Sequence, residues 1–329
     1  CYPVHSLIIG ETVKPQLTDQ IDFGKIHQVQ IGFSMFDGHL IPVRVNVFGR
    51  IRCLFLCESD RFELFNEFFF GKGHITQKGF SLPGGNFIPI SIQTVDKIKI
   101  GFVSYTNTSN VDIPDGCDYM LNCLDNYSAA GIKELTQDIK SLKSDSSADI
   151  VVAFINFGSV HSDKIEDEQR SLAQKAAEAG ADVIVGTGST TVKPMEIITV
   201  DEGSANSRSC IVFYGMGAVL SSETYNGTLE AGADADIGAA VELNIKLKSN
   251  GKAYVSSFRF IPVYLAWVDE KLTPVPLSTA VNTGEYLSFL SDNDVVRINK
   301  VNGTILSRFT GSTGLEYTVS GDGYLYYIP

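Results

Sequence analysis

The stretch from Lys97 to Gly186 constrains this chain most. KIKIGFVSY (Lys97–Tyr105) reads as a strand running into a loop, and Ala129–Lys143 as an amphipathic helix with Ile132, Leu135, Ile139 and Leu142 on one face. DIVVAFI (Asp149–Ile155) follows as a continuous apolar run of strand length. A strand without alternation is covered on both faces. A second helix is predicted over Lys164–Ala179, started by a capping pair of Asp163 and Glu166 and stopped by Gly180, and then a buried strand ADVIVG (Ala181–Gly186). Strand, helix, strand, helix, strand is the pattern of α/β layering.

Past Gly186 the pattern turns to β. Pro194–Val200, Ser209–Tyr214, Ala239–Leu247 and Ala253–Ile261 read as successive strands, with Asn250-Gly251 as the hairpin turn between the last two. Beyond Trp267 the segments are short and β-like, so residues 269–329 are expected to form a small β-rich C-terminal appendage on an α/β body of residues 1–268.

Charge narrows the partners. The formal net charge of -12 opposes nucleic acid or an anionic membrane as the main partner, and it opposes polyanions in general. No apolar run approaches the ~20 residues that a membrane helix needs. Of six cysteines, Cys53 and Cys57 would share a strand face about 13 Å apart, too far to bridge. Cys117 and Cys123 flank DYMLN and are placed to close a small loop; the alternative is that all six are buried free thiols. Cys1 is the kind of residue to which a lipoprotein's lipid is attached. Four sequons, at Asn107, Asn126, Asn226 and Asn302, permit glycosylation in a secretory setting.

Four strings in order resemble the CapA family, the poly-γ-glutamate capsule-synthesis proteins related to calcineurin-like metallophosphoesterases. They are KIKIGFVSYTN, then ADIVVAFINFGSVHSDKIEDEQRSLAQKAAEAGADVIVG, then GTGSTTVKPME over the family's GHHPHVLQPIE, and last IVFYGMGAVLSS over its YSLGN region. SSFRFIPVYLAWVDE extends the likeness, which spans residues 95–268. The resemblance implies a layered, calcineurin-like metallophosphatase-type sandwich. SLIIGETV (Ser6–Val13) stands for the family's opening strand, and Ile51–Asp60 for the strand that delivers its Asn-Asn-His motif.

The resemblance also implies two metals held by Asp, Asn and His, which would make a hydroxide nucleophile and clamp phosphoryl oxygens. At those positions this chain carries other residues. Asn156 replaces the His of HWG, Thr187, Gly188 and Thr190 replace the three His of GHHPH, Ala218 replaces the Asn of SLGN, and Glu11 stands at the N-terminal Asp. No Asn-Asn-His string occurs, and the five histidines (His5, His27, His39, His74, His161) are not paired at ligand spacing. Gly158, Gly186, Pro194, Glu196, Tyr214 and Gly217 keep the family's residues. No metal and no cofactor is expected.

Three residues remain as candidate ligand contacts: His161, Ser189 and Glu196. The loop Gly186–Thr191 offers backbone N–H groups and hydroxyls that suit an anion. It carries no Lys and no helix follows it, so it is not a P-loop. Ser159 and Ser189 have no base partner and no GxSxG elbow. Two readings follow. The first is a non-catalytic CapA-like surface or secreted protein with a binding, structural or assembly role, its partners other envelope components or further copies of itself. The second is a capsule or cell-envelope polymer enzyme with a rebuilt site. Both place the protein outside the cytoplasm.

Overall fold

The computed structural model describes residues 29–33, 43–47, 90–95, 98–109, 121–145, 147–158, 161–201, 207–219, 234–311, 313–321 and 323–329. The expected strands at Ser6–Val13 and Ile51–Asp60 lie outside them, as do Glu11, Cys1, Cys53, Cys57, Cys117 and Asn226.

The elements, in order, are β1 (Val29–Phe33), β2 (Val43–Val47), β3 (Ile90–Val95), β4 (Ile98–Thr106), α1 (Ala129–Ser144), β5 (Ile150–Asn156), α2 (Asp167–Ala179), β6 (Val183–Thr187), β7 (Met195–Asp201) and β8 (Ser207–Phe213). They continue with β9 (Ile237–Leu247), β10 (Ala253–Val268), β11 (Lys271–Pro276), α3 (Leu277–Thr283), a 3₁₀ turn (Leu287–Phe289), α4 (Asp292–Thr310), β12 (Tyr317–Val319) and β13 (Leu325–Tyr327). They form two sheets in an α/β arrangement.

The six-stranded sheet runs β3-β4-β5-β6-β8-β7. β4, β5, β6 and β8 are parallel, and β3 and β7 pair antiparallel at the two edges. Its side chains divide by strict alternation. Ile98, Ile100, Phe102, Ile150, Val152, Val183, Val185, Ile211 and Phe213 enter one core. Val103, Tyr105, Val151, Ala153, Ile155, Ile184, Cys210 and Val212 enter the other. The second core is roofed by Leu135, Ile139 and Leu142 of α1 and by Leu172, Ala173, Ala176 and Ala177 of α2. The apolar run Ile150–Ile155 is thus covered on both faces, as its composition requires.

The opposite face meets the seven-stranded sheet, ordered β12-β13-β10-β9-β1-β2 with β11 also on β10. β9 sends Ile237, Ala239, Val241, Leu243 and Ile245 into the shared core. Along β10 the inward set shifts from Ala253 and Val255 to Phe258 and Phe260. A bulge between Val255 and Ser257 produces that shift, one extra residue flipping the face of all that follow.

Two boundary readings need correction. Helix α2 begins later than Lys164: its cap is Glu166, locked reciprocally with Gln169, rather than Asp163 with Glu166. Residues 269–329 are not β-rich, for they contain the 19-residue helix α4, started by a capping box of Ser291 and Asp294. Nor are they peripheral to the core. β13 pairs with β10 through Phe258–Phe260, and α4 buries Ile298, Val301, Ile305 and Phe309 between the sheets. The Phe309 ring stacks on Phe260 at 3.5 Å between centroids and lies 6.0 Å from Phe213 of the other sheet.

Phe309→Ala should therefore cost about 3–5 kcal/mol, as large aromatic truncations in a packed core do. Urea unfolding followed by circular dichroism measures it; a cost below about 1 kcal/mol would show that α4 does not close the core.

Candidate functional site

Parallel strands collect polar loops at their carboxyl ends. Here β4, β5 and β6 end in register, Thr106 beside Asn156 and Asn156 beside Thr187. The register thus sets Asn156 directly beside Thr187.

Asn156 is spent on its own loop. Its Oδ1 accepts from the Gly158 N–H at 3.0 Å, and its carbonyl accepts from Asn107 N–H at 2.8 Å. Gly188 presses against the same oxygen: a Cβ at Gly188, whose φ is +86°, would overlap Asn156 Oδ1. Gly186, one of the residues shared with the family, is fixed by close approach too, since a Cβ there would overlap the Tyr214 carbonyl.

The hydroxyls of the next loop are also engaged. Ser189, 4% exposed, donates to the Thr191 carbonyl at 2.9 Å and accepts from the Thr191 N–H at 3.2 Å. The Ser162 carbonyl, across the crevice, accepts from Thr191 Oγ1 at 3.0 Å and lies 3.3 Å from Ser189 Oγ. Exposed His161 brings Nδ1 to 3.4 Å from Thr190 Oγ1. Residues 161–163 thus form a strap over Thr187–Thr191. Of the candidate contacts, His161 and Ser189 come together at this strap.

Glu196 does not join them. Its carboxylate accepts from Arg170 Nε and from Tyr214 Oη, each at 2.9 Å. Burial and the Glu196 charge push the Tyr214 phenol well above its ordinary range, so Tyr214 stays a neutral donor. The Glu196 carboxylate thereby fastens β7 to β8 and α2, which accounts for its place among the shared residues.

Among the described residues, the positions that the resemblance assigns to metal ligands offer few free donors. Asn156 Oδ1 is taken, Ser189 and Thr191 are tied to Ser162, and Ala218 offers no side-chain donor. Among the described residues no group of three or more His, Cys, Asp or Glu gathers. Among the described residues Cys123 and Cys210 are free thiols, and the loop expected between Cys117 and Cys123 reaches outside the described residues. Burial pushes the Cys210 thiol far up.

Three features were missed from the sequence. The first is Asn107, 5% exposed, whose Oδ1 accepts from Tyr127 N–H and whose carbonyl accepts from Asn126 N–H, each at 2.9 Å. These bonds hold Asp125, Asn126 and Tyr127 in three successive left-handed conformations (φ 49°, 51° and 60°). Non-glycine residues adopt that region singly and at a cost. The turn leans on the crevice, since Tyr127 Oη donates to the Phe157 carbonyl at 2.8 Å. Asn107 therefore has no room for a glycan, whereas Asn126 is exposed and Asn302 lies half-buried on α4 facing Ser278. The second is the ion pair of Arg308 on α4 with Asp163 in the strap, at 3.5 Å. The third is Lys193, 1% exposed just past the Thr187–Thr191 loop. The Glu166…Gln169 spacing was the one readable signal near it.

Comparison with known proteins bears on residues around this crevice. The model of the family "Bacterial capsule synthesis protein PGA_cap" matches residues 86–223. No curated protein matches the chain. A solved structure of a hypothetical protein from Thermus thermophilus aligns at 14% identity and a TM-score of 0.29, over 55% of this chain and 63% of its own. The chain thus spans less than two thirds of that protein, and at this score the likeness carries no argument.

The Asn156–Gly188 contact yields a test. Gly188→Ala should destabilise by about 1–3 kcal/mol through strain and overlap. Adding Asn156→Ala removes the overlap but not the strain, so the double variant should recover part of the loss, with a coupling of about 1 kcal/mol in a double-mutant cycle. Additive losses would show that the two residues do not touch.

Proposed function

Through residues 86–223 the chain belongs to the bacterial capsule synthesis protein family PGA_cap, and on that premise we propose that it is a capsule-related, CapA-like protein that binds or assembles rather than cleaves. We read its two facing sheets as a metallophosphatase-type sandwich kept without its metal chemistry. The observation that carries this reading is the interlock of Asn156 with Gly188, which fills with internal contacts the place where two imidazoles would stand. Asn and Thr are weak neutral ligands for a transition metal, and imidazole is a far better one. Without a metal, water keeps its bulk pKa, and no strong nucleophile forms at neutral pH.

The reading extends to place and partner. Capsule synthesis belongs to the cell envelope, and on that ground the protein is placed outside the cytoplasm. No helix among the described residues is long and apolar enough to cross a membrane. Net charge of -12 disfavours holding a polyanion such as poly-γ-glutamate directly, so the partners proposed are other envelope components or further copies. Glu196, the candidate carboxylate for a rebuilt enzyme, is committed to Arg170 and Tyr214.

Elemental analysis of the purified chain after exposure to Zn and Mn should find far less than one ion per molecule. Two tightly held ions per chain would sink the proposal. The triple variant Asn156→His, Thr187→His, Thr190→His should raise Zn affinity measurably if the strand ends keep their register.

A further inference from the structure

The tip of the β9–β10 hairpin reverses the charge of the chain. No acidic residue occurs between Glu242 and Asp269, while Lys246, Lys248, Lys252 and Arg259 all fall in that stretch of a chain with net charge -12. Arg259 is matched by Glu242. Lys246, Lys248 and Lys252 are exposed, and among the described residues none of them pairs with a carboxylate. Among the described residues the tip also stands beyond the strands on either side of it. β1 pairs with β9 only as far as Ile245, and β13 pairs with β10 only through Phe258–Phe260. Past those points Lys246 pairs with Tyr254, and Leu247 with Ala253, across the hairpin itself.

Alternation sorts this tip into two faces. Lys246 stands opposite Tyr254, and the Lys248 N–H donates to the Lys252 carbonyl at 2.8 Å. The three lysines and Tyr254 therefore share one face, and Lys248 Nζ sits 5.2 Å from the centroid of the Tyr254 ring. The other face ends in Leu247, 43% exposed, two residues past Ile245 at the limit of the core. The turn is fixed by two more bonds: Gly251 N–H donates to the Lys248 carbonyl at 2.9 Å, and Lys252 N–H to Asn250 Oδ1 at 3.0 Å. Cations, an exposed phenol and an exposed leucine on one projecting tip suit the boundary between water and lipid. Lysine stems lie along apolar surface with their heads in water, tyrosine favours the headgroup level, and leucine enters the acyl boundary. A soluble polyanion would engage the lysines and leave Leu247 in water.

We propose that the tip from Lys246 to Tyr254 docks the protein on an anionic lipid bilayer. The net charge of -12 repels such a surface from a distance. Charges more than about 8 Å apart are largely screened at physiological ionic strength, so contact is decided locally. The next carboxylate along β9, Glu242, is four residues or about 13 Å from Lys246, and Arg259 already matches it. Three lysines at an anionic surface are together worth about a hundredfold in binding. This surface goes beyond the capsule reading and rests on the hairpin alone: metal content tests that reading, and vesicle binding tests this one.

The full chain should co-sediment with vesicles of phosphatidylglycerol in phosphatidylcholine, not with phosphatidylcholine alone, and should be released as salt rises. Lys246→Gln with Lys248→Gln and Lys252→Gln should lower binding about a hundredfold. The same change in net charge placed on the exposed lysines of α1 and α2, Lys133→Gln with Lys140→Gln and Lys175→Gln, should lower it far less. Leu247→Ser should weaken binding severalfold. Three results overturn the proposal: no binding to the anionic vesicles, equal losses from the two triple variants, or binding to soluble polyphosphate that matches the vesicles and is indifferent to Leu247→Ser.

Discussion

Everything in this molecule follows from a sheet that must be covered twice. β5 is apolar on both faces, so one layer of helices does not suffice to bury it. α1 and α2 take one face, and the seven-stranded sheet takes the other. That second cover is assembled from distant parts of the chain: β1 and β2 pair beside β9, and the C-terminal β13 pairs beside β10. Phe309 then fills the space between the sheets with an aromatic cluster of Phe213, Phe258, Phe260 and Tyr327. Burial on this scale is the dominant favourable contribution to folding.

Charged groups decide how the covers are pinned. At the base of β6, buried Asp182 accepts from Lys143 Nζ at 2.6 Å and from Val151 N–H at 2.7 Å, and Arg208 caps the Ala177 and Ala181 carbonyls at the end of α2. At the opposite end, Arg297 grips Asp236 with two bonds of 2.7 and 2.8 Å and also reaches Asp234, which Arg308 bonds at 2.7 Å. Such part-buried pairs add little net stability but penalise every arrangement that separates them. The first set fixes α1 and α2 to the sheet; the second fixes α4 to the turn before β9 and, through Asp163, to the strap.

How much of this was legible depended on where local and tertiary preferences agree. KIKIGFVSY, DIVVAFI and ADVIVG announce buried parallel strands because two-sided burial leaves their middles apolar. Their ends then place Asn156 next to Thr187. Helix α4 was not legible because Val295, Val296, Ile298, Val301 and Ile305 are β-branched, so its intrinsic preference is weak and packing decides. Ser291 followed by Asp294 was the signal available for its start. The burial of Lys193 and Asn107 was hidden for a different reason. Both are polar, and only the neighbouring loops, distant in sequence, take them out of water.

The Asn156–Gly188 contact reaches beyond stability. A side chain at position 188 meets both a left-handed backbone and an oxygen already in its place, so no single substitution there passes through a relaxed intermediate. Opening the crevice to a larger group at 188 requires Asn156 to change first, and that change gives up the Gly158 hydrogen bond before anything replaces it. The pair therefore works as a ratchet in sequence space: steps into this state are short, steps out of it cross a valley, and neighbouring sequences that retain Gly188 should tolerate drift elsewhere on the crevice rim far more readily than at these two positions.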